Sequence, residues 1–316
     1  MIYGQGEHQK FRGDSEMIEI RGVRKSFRGE VAVNGISLTV HKGKIYGLLG
    51  SNGAGKTTLL KILAGIIQPE SGTVKLEGEP IFERPEVKQR IIFMPDSPAF
   101  FPQATIKSMA NFYRSVYPRW NQAYFEQLGD VFRLDMRRRL SRFSKGMQRQ
   151  AAFWLSLACM PDVLVMDEPH DGLDPVMRRQ VKNLLFQEVA ERQLTVLISS
   201  HNLHEIEDLC GPVGIMHDGQ MRLEMDLNHL KSDTHKVQVA FRDERHERAI
   251  SSKLQVLHRE VRGSVSLLIV RGDRERIKAA FGIYQPYVFD LLPLTLEEIF
   301  IYEMGDAGYD TRPLLL

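Results

Sequence analysis

Three short stretches have the residue types and spacing for chemistry on a phosphate. The first, "GSNGAGKT" from Gly50 to Thr57, fits the pattern G-x-x-x-x-G-K-[ST]. Glycines at that spacing let successive backbone N–H groups wrap a phosphate chain. Lys56 then brings a point charge to the outer phosphates, and the Thr57 hydroxyl can ligate Mg²⁺. The second, "VLVMDEP" from Val163 to Pro169, is an apolar run ending in two carboxylates. Beside a phosphate-cradling loop, Asp167 becomes a second Mg²⁺ anchor. Glu168 falls where it can activate a water for attack on the terminal phosphate. A positioned general base supplies roughly 10²–10⁴-fold, about 3–5 kcal/mol of barrier lowering. The third, "FSKGMQRQ" from Phe143 to Gln150, puts the capping residue Ser144 and the small Gly146 at the start of an apolar helical run. A helix start offers unpaired N–H groups and attracts anions.

These stretches require particular elements around them. An apolar strand, "IYGLL", leads into the glycine loop, and "TTLLKILAGII" leads out with apolar residues at helical spacing. Further along, strands and helices alternate: "DVLVMDEP", "PVMRRQVKNLLFQEVAER", "LTVLISS", "NLHEIEDLC" and "VGIMHDGQMRLE". Such alternation predicts an α/β core with a largely parallel sheet. Residues about 104–160 read as mostly helical. Beyond about 231 the pattern becomes β-α-β-β-α-β, the order of a small ferredoxin-like module, followed by a final helix capped by Thr295 and Glu298.

Bulk properties narrow the class. The chain has 316 residues, a formal charge of +2 and 43% hydrophobic content, ordinary for a globular protein and too mild in charge to argue for nucleic acid. Cys159 and Cys210 have no metal-ligand spacing and read as small core residues in a reducing compartment. No segment approaches the run of about 20 apolar residues that spans a bilayer. The polar stretch 1–16 reads as a disordered leader.

The glycine loop at 50–57, "FSKGMQ" at 143–148, the acidic strand at 163–168, "GLD" at 172–174 and "SSH" ending at His201 occur in the order and spacing of ABC-type ATPases. From about Ile18 to about Glu224 the chain resembles the nucleotide-binding subunit of an ABC transporter. The resemblance implies a P-loop NTPase fold of the ABC-ATPase type: a RecA-like core, an antiparallel β subdomain and a helical signature subdomain. The expected boundaries are a leader at 1–16, an ATPase domain at 17–230 with its helical part at about 97–160, and an α+β accessory module at 231–316.

The resemblance also implies roles. ATP is expected to contact Ser51, Asn52, Gly53, Ala54, Gly55, Lys56, Thr57 and Thr58, with Phe27 stacked on adenine and Val33 as a further contact. Glu168 and His201 are the expected catalytic pair, His201 contacting the γ-phosphate. Ser144 and Gly146 are expected to bind the γ-phosphate held by an opposite subunit, with Gln148 of the same signature as a further nucleotide-binding residue, and Asp174 to communicate across that dimer. Thr57, Asp167 and Asp96 are the expected Mg²⁺ ligands. Asp96 departs from the glutamine usual after that strand, and Lys145 and Met147 depart from the usual signature. The aromatic segment with Phe100, Phe101, Phe112 and Tyr113 is where such subunits meet a permease. The function so implied is ATP hydrolysis coupled to a separate membrane permease, for export, by a homodimer or a heterodimer on the cytoplasmic face of the membrane. A soluble ABC-type ATPase acting on ribosomes or DNA is the alternative, disfavoured by the single cassette and the absence of sustained heptads.

Overall fold

The computed structural model describes residues 15–227, 234–241, 246, 250, 254–292, 294, 295 and 298. The expected leader therefore lies outside the described residues as far as position 14, and β1 (Glu16–Phe27) already begins at its last residue. Most of the expected final helix also lies outside them. Within it, Thr295 and Glu298 exchange the reciprocal hydrogen bonds of a capping box.

In chain order, β1 pairs antiparallel with β2 (Glu30–His41), register Phe27↔Glu30 at the turn. Next come β3 (Ile45–Leu49) and α1 (Lys56–Leu63). β4 (Ser71–Leu76) returns to pair antiparallel with β1, and β5 (Glu79–Pro80) pairs with β4. The single turn α2 (Pro85–Lys88) precedes β6 (Ile91–Met94). The helices α3 (Ile106–Val116), α4 (Gln122–Phe132) and α5 (Lys145–Ala158) follow. The alternating part is β7 (Val163–Asp167), α6 (Pro175–Arg192), β8 (Thr195–Ser200), α7 (Leu203–Leu209), β9 (Pro212–His217) and β10 (Gln220–Asp226). Last are β11 (Thr234–Ala240), β12 (Gln255–Arg262), β13 (Val265–Arg271), α8 (Arg274–Gly282) and β14 (Val288–Leu292).

The chain forms two compact units. The first holds the described residues to 46, with 53–199 and 217–221. Here β2-β1-β4-β5 make an antiparallel sheet, while β6, β7 and β8 lie parallel, Met94 opposite Met166 and Asp167 opposite Ser199. Every residue of β7 and of β8 is buried. That explains their unbroken apolar runs, because a parallel strand is covered on both faces. At the foot of β3, the Val196 N–H donates to the Lys44 carbonyl at 2.9 Å.

Helix α5 is buried at every position from Arg149 to Ala158. A helix buried on every face is a central one, and α3 and α4 pack against it. Trp154 stacks on Phe125 with ring centroids 4.9 Å apart, and its indole N–H donates to the Phe125 carbonyl at 2.6 Å. Large aromatic area with its one polar atom satisfied anchors this helical part.

The second unit holds 47–52, 200–216 and the described residues from 222. The upper part of β3 runs parallel to β9, Gly47 opposite Val213, and the Gly50 N–H donates to the Ser200 carbonyl at 3.3 Å. Strands β12-β13-β11-β14 form an antiparallel sheet in that order. Val237, Val239, Leu268, Val270, Ile277 and Phe281 make its core, with Ile250 and Leu254. Cys159 and Cys210 are free and buried, and burial pushes both thiols up, away from reactive thiolate. Among the described residues no helix is long and apolar enough to cross a membrane.

Candidate active site

Strand β3 delivers the chain into the glycine loop, and α1 carries it away. Gly53 and Gly55 have φ of +84° and +99°, which side chains of L-residues resist. Gly55 is the N-cap of α1 and has no side chain to cap it. No side chain of the cap residue therefore competes for the start of α1, and the macrodipole favours an anion there. The Ala54 carbonyl accepts the Gly219 N–H at 3.1 Å, which pins the loop to the turn between β9 and β10.

The acids at the end of β7 meet this loop. Thr57 Oγ1 donates to Asp167 Oδ2 at 2.7 Å. The other carboxylate oxygen, Oδ1, accepts a 2.6 Å hydrogen bond from Ser199 Oγ. Ser199 is fully buried and serves Glu168 as well. The Glu168 N–H reaches Ser199 Oγ at 3.1 Å and the Ser199 carbonyl at 3.2 Å. Glu168 stands at φ +47°, a left-handed conformation that costs about 1–3 kcal/mol for a side-chain-bearing residue. Ser199 holds it there. Lys56 Nζ lies 3.3 Å from Glu168 Oε1, with the two side chains 6% and 13% exposed. A nearly dry lysine paired with a nearly dry glutamate, beside an open helix start, is a cation ready for a phosphate and a base held next to it.

Thr57 Oγ1 and Asp167 Oδ2 are hard oxygen donors within one coordination sphere of each other, a donor set that fits Mg²⁺. The carboxylate of Asp96 is engaged elsewhere. It pairs with Arg149 Nη2 at 2.8 Å, and the same nitrogen also donates to the Asp96 backbone carbonyl.

Ser144 is the N-cap of α5, and its Oγ accepts the Met147 N–H at 3.2 Å. Its own O–H remains available to donate. Gly146 sits hard against the loop after β7: a Cβ there would lie 2.5 Å from the Gly172 carbonyl oxygen, so no larger residue fits without moving backbone. Gln148 donates its amide to the Leu140 and Phe143 carbonyls, both at 3.2 Å, closing the 3-10 turn that precedes α5. Asp174 caps α6 by accepting the Met177 N–H at 2.9 Å.

Phe27, at the turn end of β1, is 45% exposed, with Lys25 Nζ 5.5 Å from its ring centroid. The ring is thus partly exposed, with a lysine over it. Val33, expected as a further nucleotide contact, has its side chain 0% exposed, in the buried face of β2. The Asp218–Gly219 turn joins the backbone of this stretch, the Asn34 N–H donating to the Gly219 carbonyl at 2.8 Å. His201, Ser51 and Asn52 belong to the second unit. There His201 is exposed and follows Ser200, whose Oγ donates to Glu205 Oε2 at 2.9 Å and accepts the Asn202 N–H at 3.0 Å. Thr58 is half-buried in the first turn of α1.

Of the aromatic segment, Phe101 and Phe112 are exposed and meet edge to face at 5.1 Å. Tyr113 instead turns inward and stacks on Tyr117 at 5.6 Å, and burial pushes the Tyr117 hydroxyl up to about 12. Of the expected four, Phe101 and Phe112 are thus exposed, while Phe100 and Tyr113 are half-buried. Ser199 and Arg149 were not foreseen, because each acts through a partner distant in sequence.

The family described as "ABC transporter" matches residues 33–171. The chain is similar to the ABC transporter ATP-binding protein YtrB of Bacillus subtilis, at 36% identity over 92% of this chain and 98% of that protein. It is also similar to the bacitracin transport ATP-binding protein BcrA of Bacillus licheniformis, at 32% identity over 70% of this chain and 74% of the other. The Nod factor export ATP-binding protein I of Burkholderia lata is 35% identical over 64% of this chain and 68% of its own length. Among solved structures, an ATP-binding subunit of an ABC transporter superposes with a TM-score of 0.64 at 23% identity, over 68% of this chain and 92% of that one.

Proposed function

The chain belongs to the ATP-binding proteins of ABC transporters, and from that premise we propose how its residues divide the work of ATP hydrolysis and whom they serve. The protein is an ATPase subunit that couples ATP hydrolysis to transport. ABC cassettes work as dimers with a separate membrane component.

ATP enters with its phosphates on the N–H groups of residues 53–57 and its adenine against Phe27. Its arrival draws Lys56 from Glu168 onto the β and γ phosphates, which frees the Glu168 carboxylate to take a proton from the attacking water. Water adds to the γ-phosphorus, the β–γ bridging bond breaks, and ADP and phosphate leave. Thr57 and Asp167 would hold Mg²⁺, which when bound offsets the negative charge of the phosphates. His201 is proposed to donate to the γ-phosphate. Ser144, through its O–H, and Gly146, through its N–H, are proposed to close the site on a second copy, with Asp174 near the same seam. Gln148 supports that segment by bracing its 3-10 turn.

The observation that carries this reading is the set Thr57–Asp167–Ser199–Glu168–Lys56, in which a loop built for phosphate directly meets two carboxylates. The subunit is proposed to lie on the cytoplasmic face of the membrane and to serve an exporter. Relatives named for bacitracin transport and Nod factor export support export, and the exposed Phe101–Phe112 pair supports a permease contact there. The domain proposal is an ATPase domain at 17–230 and a ferredoxin-like accessory module at 231–316. The strand order β12-β13-β11-β14 supports the module. Phosphate release by the purified chain tests the assignment. Glu168→Gln should lose about 10²-fold or more in kcat while keeping ATP affinity. Retained turnover would remove Glu168 from the role of base.

A further inference from the structure

Arg149 lies in the second turn of α5, the helix whose start carries Ser144 and Gly146. It is 6% exposed, and its guanidinium cannot shed its charge. A buried cation needs an anionic partner or its desolvation goes unanswered. That partner is Asp96, two residues past the end of β6, whose side chain is 52% exposed and reaches inward to Nη2 at 2.8 Å. The same nitrogen also takes the Asp96 backbone carbonyl. Arg149 Nε is buried without a hydrogen-bond partner, so the guanidinium leans on Asp96. Strand β6 is the parallel neighbour of β7, which ends in Asp167. One ion pair thus ties the loop after β6 to the helix that presents Ser144.

We propose that Asp96 is a positioning residue, tying the start of α5 to the sheet through Arg149 so that Ser144 and Gly146 are aimed at a phosphate on a second copy. The tie gives Asp96 a use distinct from metal ligation. A carboxylate swung toward Mg²⁺ would strand the buried guanidinium, whereas one left on Arg149 keeps the helix start fixed. Gly146 adds a second fixed point by its close approach to the Gly172 carbonyl. A neutral side chain at 96 could accept a hydrogen bond from Arg149 but could not answer its charge.

The inference rests on the shared-site reading above, and the test separates the two. The full-length chain carrying Glu168→Gln binds ATP without turning it over. Its dimerisation with Mg²⁺-ATP is followed by sedimentation, while ATP affinity and the Mg²⁺ requirement are titrated on the same samples. Adding Asp96→Asn should weaken dimerisation about tenfold or more, and leave ATP affinity and half-saturating Mg²⁺ within about twofold. Asp96→Glu, which keeps the charge, should restore most of the dimer. Hydrogen exchange at amides 145–148 should quicken in Asp96→Asn and return to normal in Asp96→Glu. A tenfold rise in the Mg²⁺ requirement with unchanged dimerisation at saturating Mg²⁺ would make Asp96 a metal ligand and overturn the tie. Unchanged dimerisation, Mg²⁺ requirement and exchange would overturn it as well. A Glu168→Gln chain that stays monomeric in Mg²⁺-ATP would remove the shared site itself, and the tie with it.

Discussion

Replacing Ser199 with alanine removes one oxygen that serves both acids. Ser199 Oγ donates to Asp167 Oδ1 at 2.6 Å and accepts the Glu168 N–H at 3.1 Å. Asp167 is 4% exposed, so water cannot readily replace the lost donor. A hydrogen bond to a charged group is worth about 1.5–3 kcal/mol, and its loss leaves a buried carboxylate oxygen unanswered. The Glu168 N–H loses less, because the Ser199 carbonyl still accepts it at 3.2 Å. Stability should therefore fall by about 2–3 kcal/mol. The base, loosened but not released, should lose part of its roughly 10²–10⁴-fold contribution, so kcat should fall about 10- to 100-fold. KM for ATP should move less than about threefold, since Lys56 and the loop N–H groups are untouched. Phosphate-release kinetics and denaturant melts on Ser199→Ala and Ser199→Thr measure both quantities, with Ser199→Thr recovering most of kcat. A Ser199→Ala chain with kcat within twofold of the parent and stability within about 0.5 kcal/mol would refute the reasoning.

Three further outcomes are expected. Lys56→Ala should weaken ATP binding by about 10²-fold or more in equilibrium titrations, because the one buried cation of the loop is gone; ordinary affinity would mean that the loop is misassigned. Phe27→Ala should weaken ATP about tenfold with little change in stability, since the ring is exposed; Phe27→Trp should bind normally, and an unchanged Kd for Phe27→Ala would end its stacking role. Burial pushes the Asp162 carboxyl up, but hydrogen bonds from Arg90 and Arg119, both at 2.6 Å, outweigh it and hold the group below its ordinary value. A depressed folded pKa stabilises above the unfolded value near 4 and is lost as pH falls through the folded one. Asp162→Asn should therefore cost about 1–2 kcal/mol at pH 7 and progressively less below pH ~4, and a pH-independent cost would contradict the ion-pair account.

What the sequence discloses is local. Gly50 to Thr57 can be read because its glycines, lysine and threonine act within one turn of chain. Asp167 and Glu168 can be read because an apolar run that stops at two acids has few other uses. Ser144 is visible as a cap before a long apolar run. Ser199 is hidden, since its partner Asp167 lies 32 residues away and a serine in "LTVLISS" looks like any strand residue. Asp96 and Arg149 are 53 residues apart, and only the folded chain shows that one answers the charge of the other. Burial is equally illegible along β2: Val31 is 39% exposed and Val33, two residues on, is 0% exposed. The hydrogen bonds from the Gln148 amide to the Leu140 and Phe143 carbonyls likewise appear only in the folded chain.

The central claim is that two copies share each ATP. It is tested most directly by a structure of the Glu168→Gln chain with Mg²⁺-ATP. The account predicts a face-to-face pair in which Ser144 Oγ and the Gly146 N–H of one copy lie within hydrogen-bond distance of the γ-phosphate bound by Lys56 of the other. ATP bound with residues 144–148 turned away from the γ-phosphate in every assembly would contradict it.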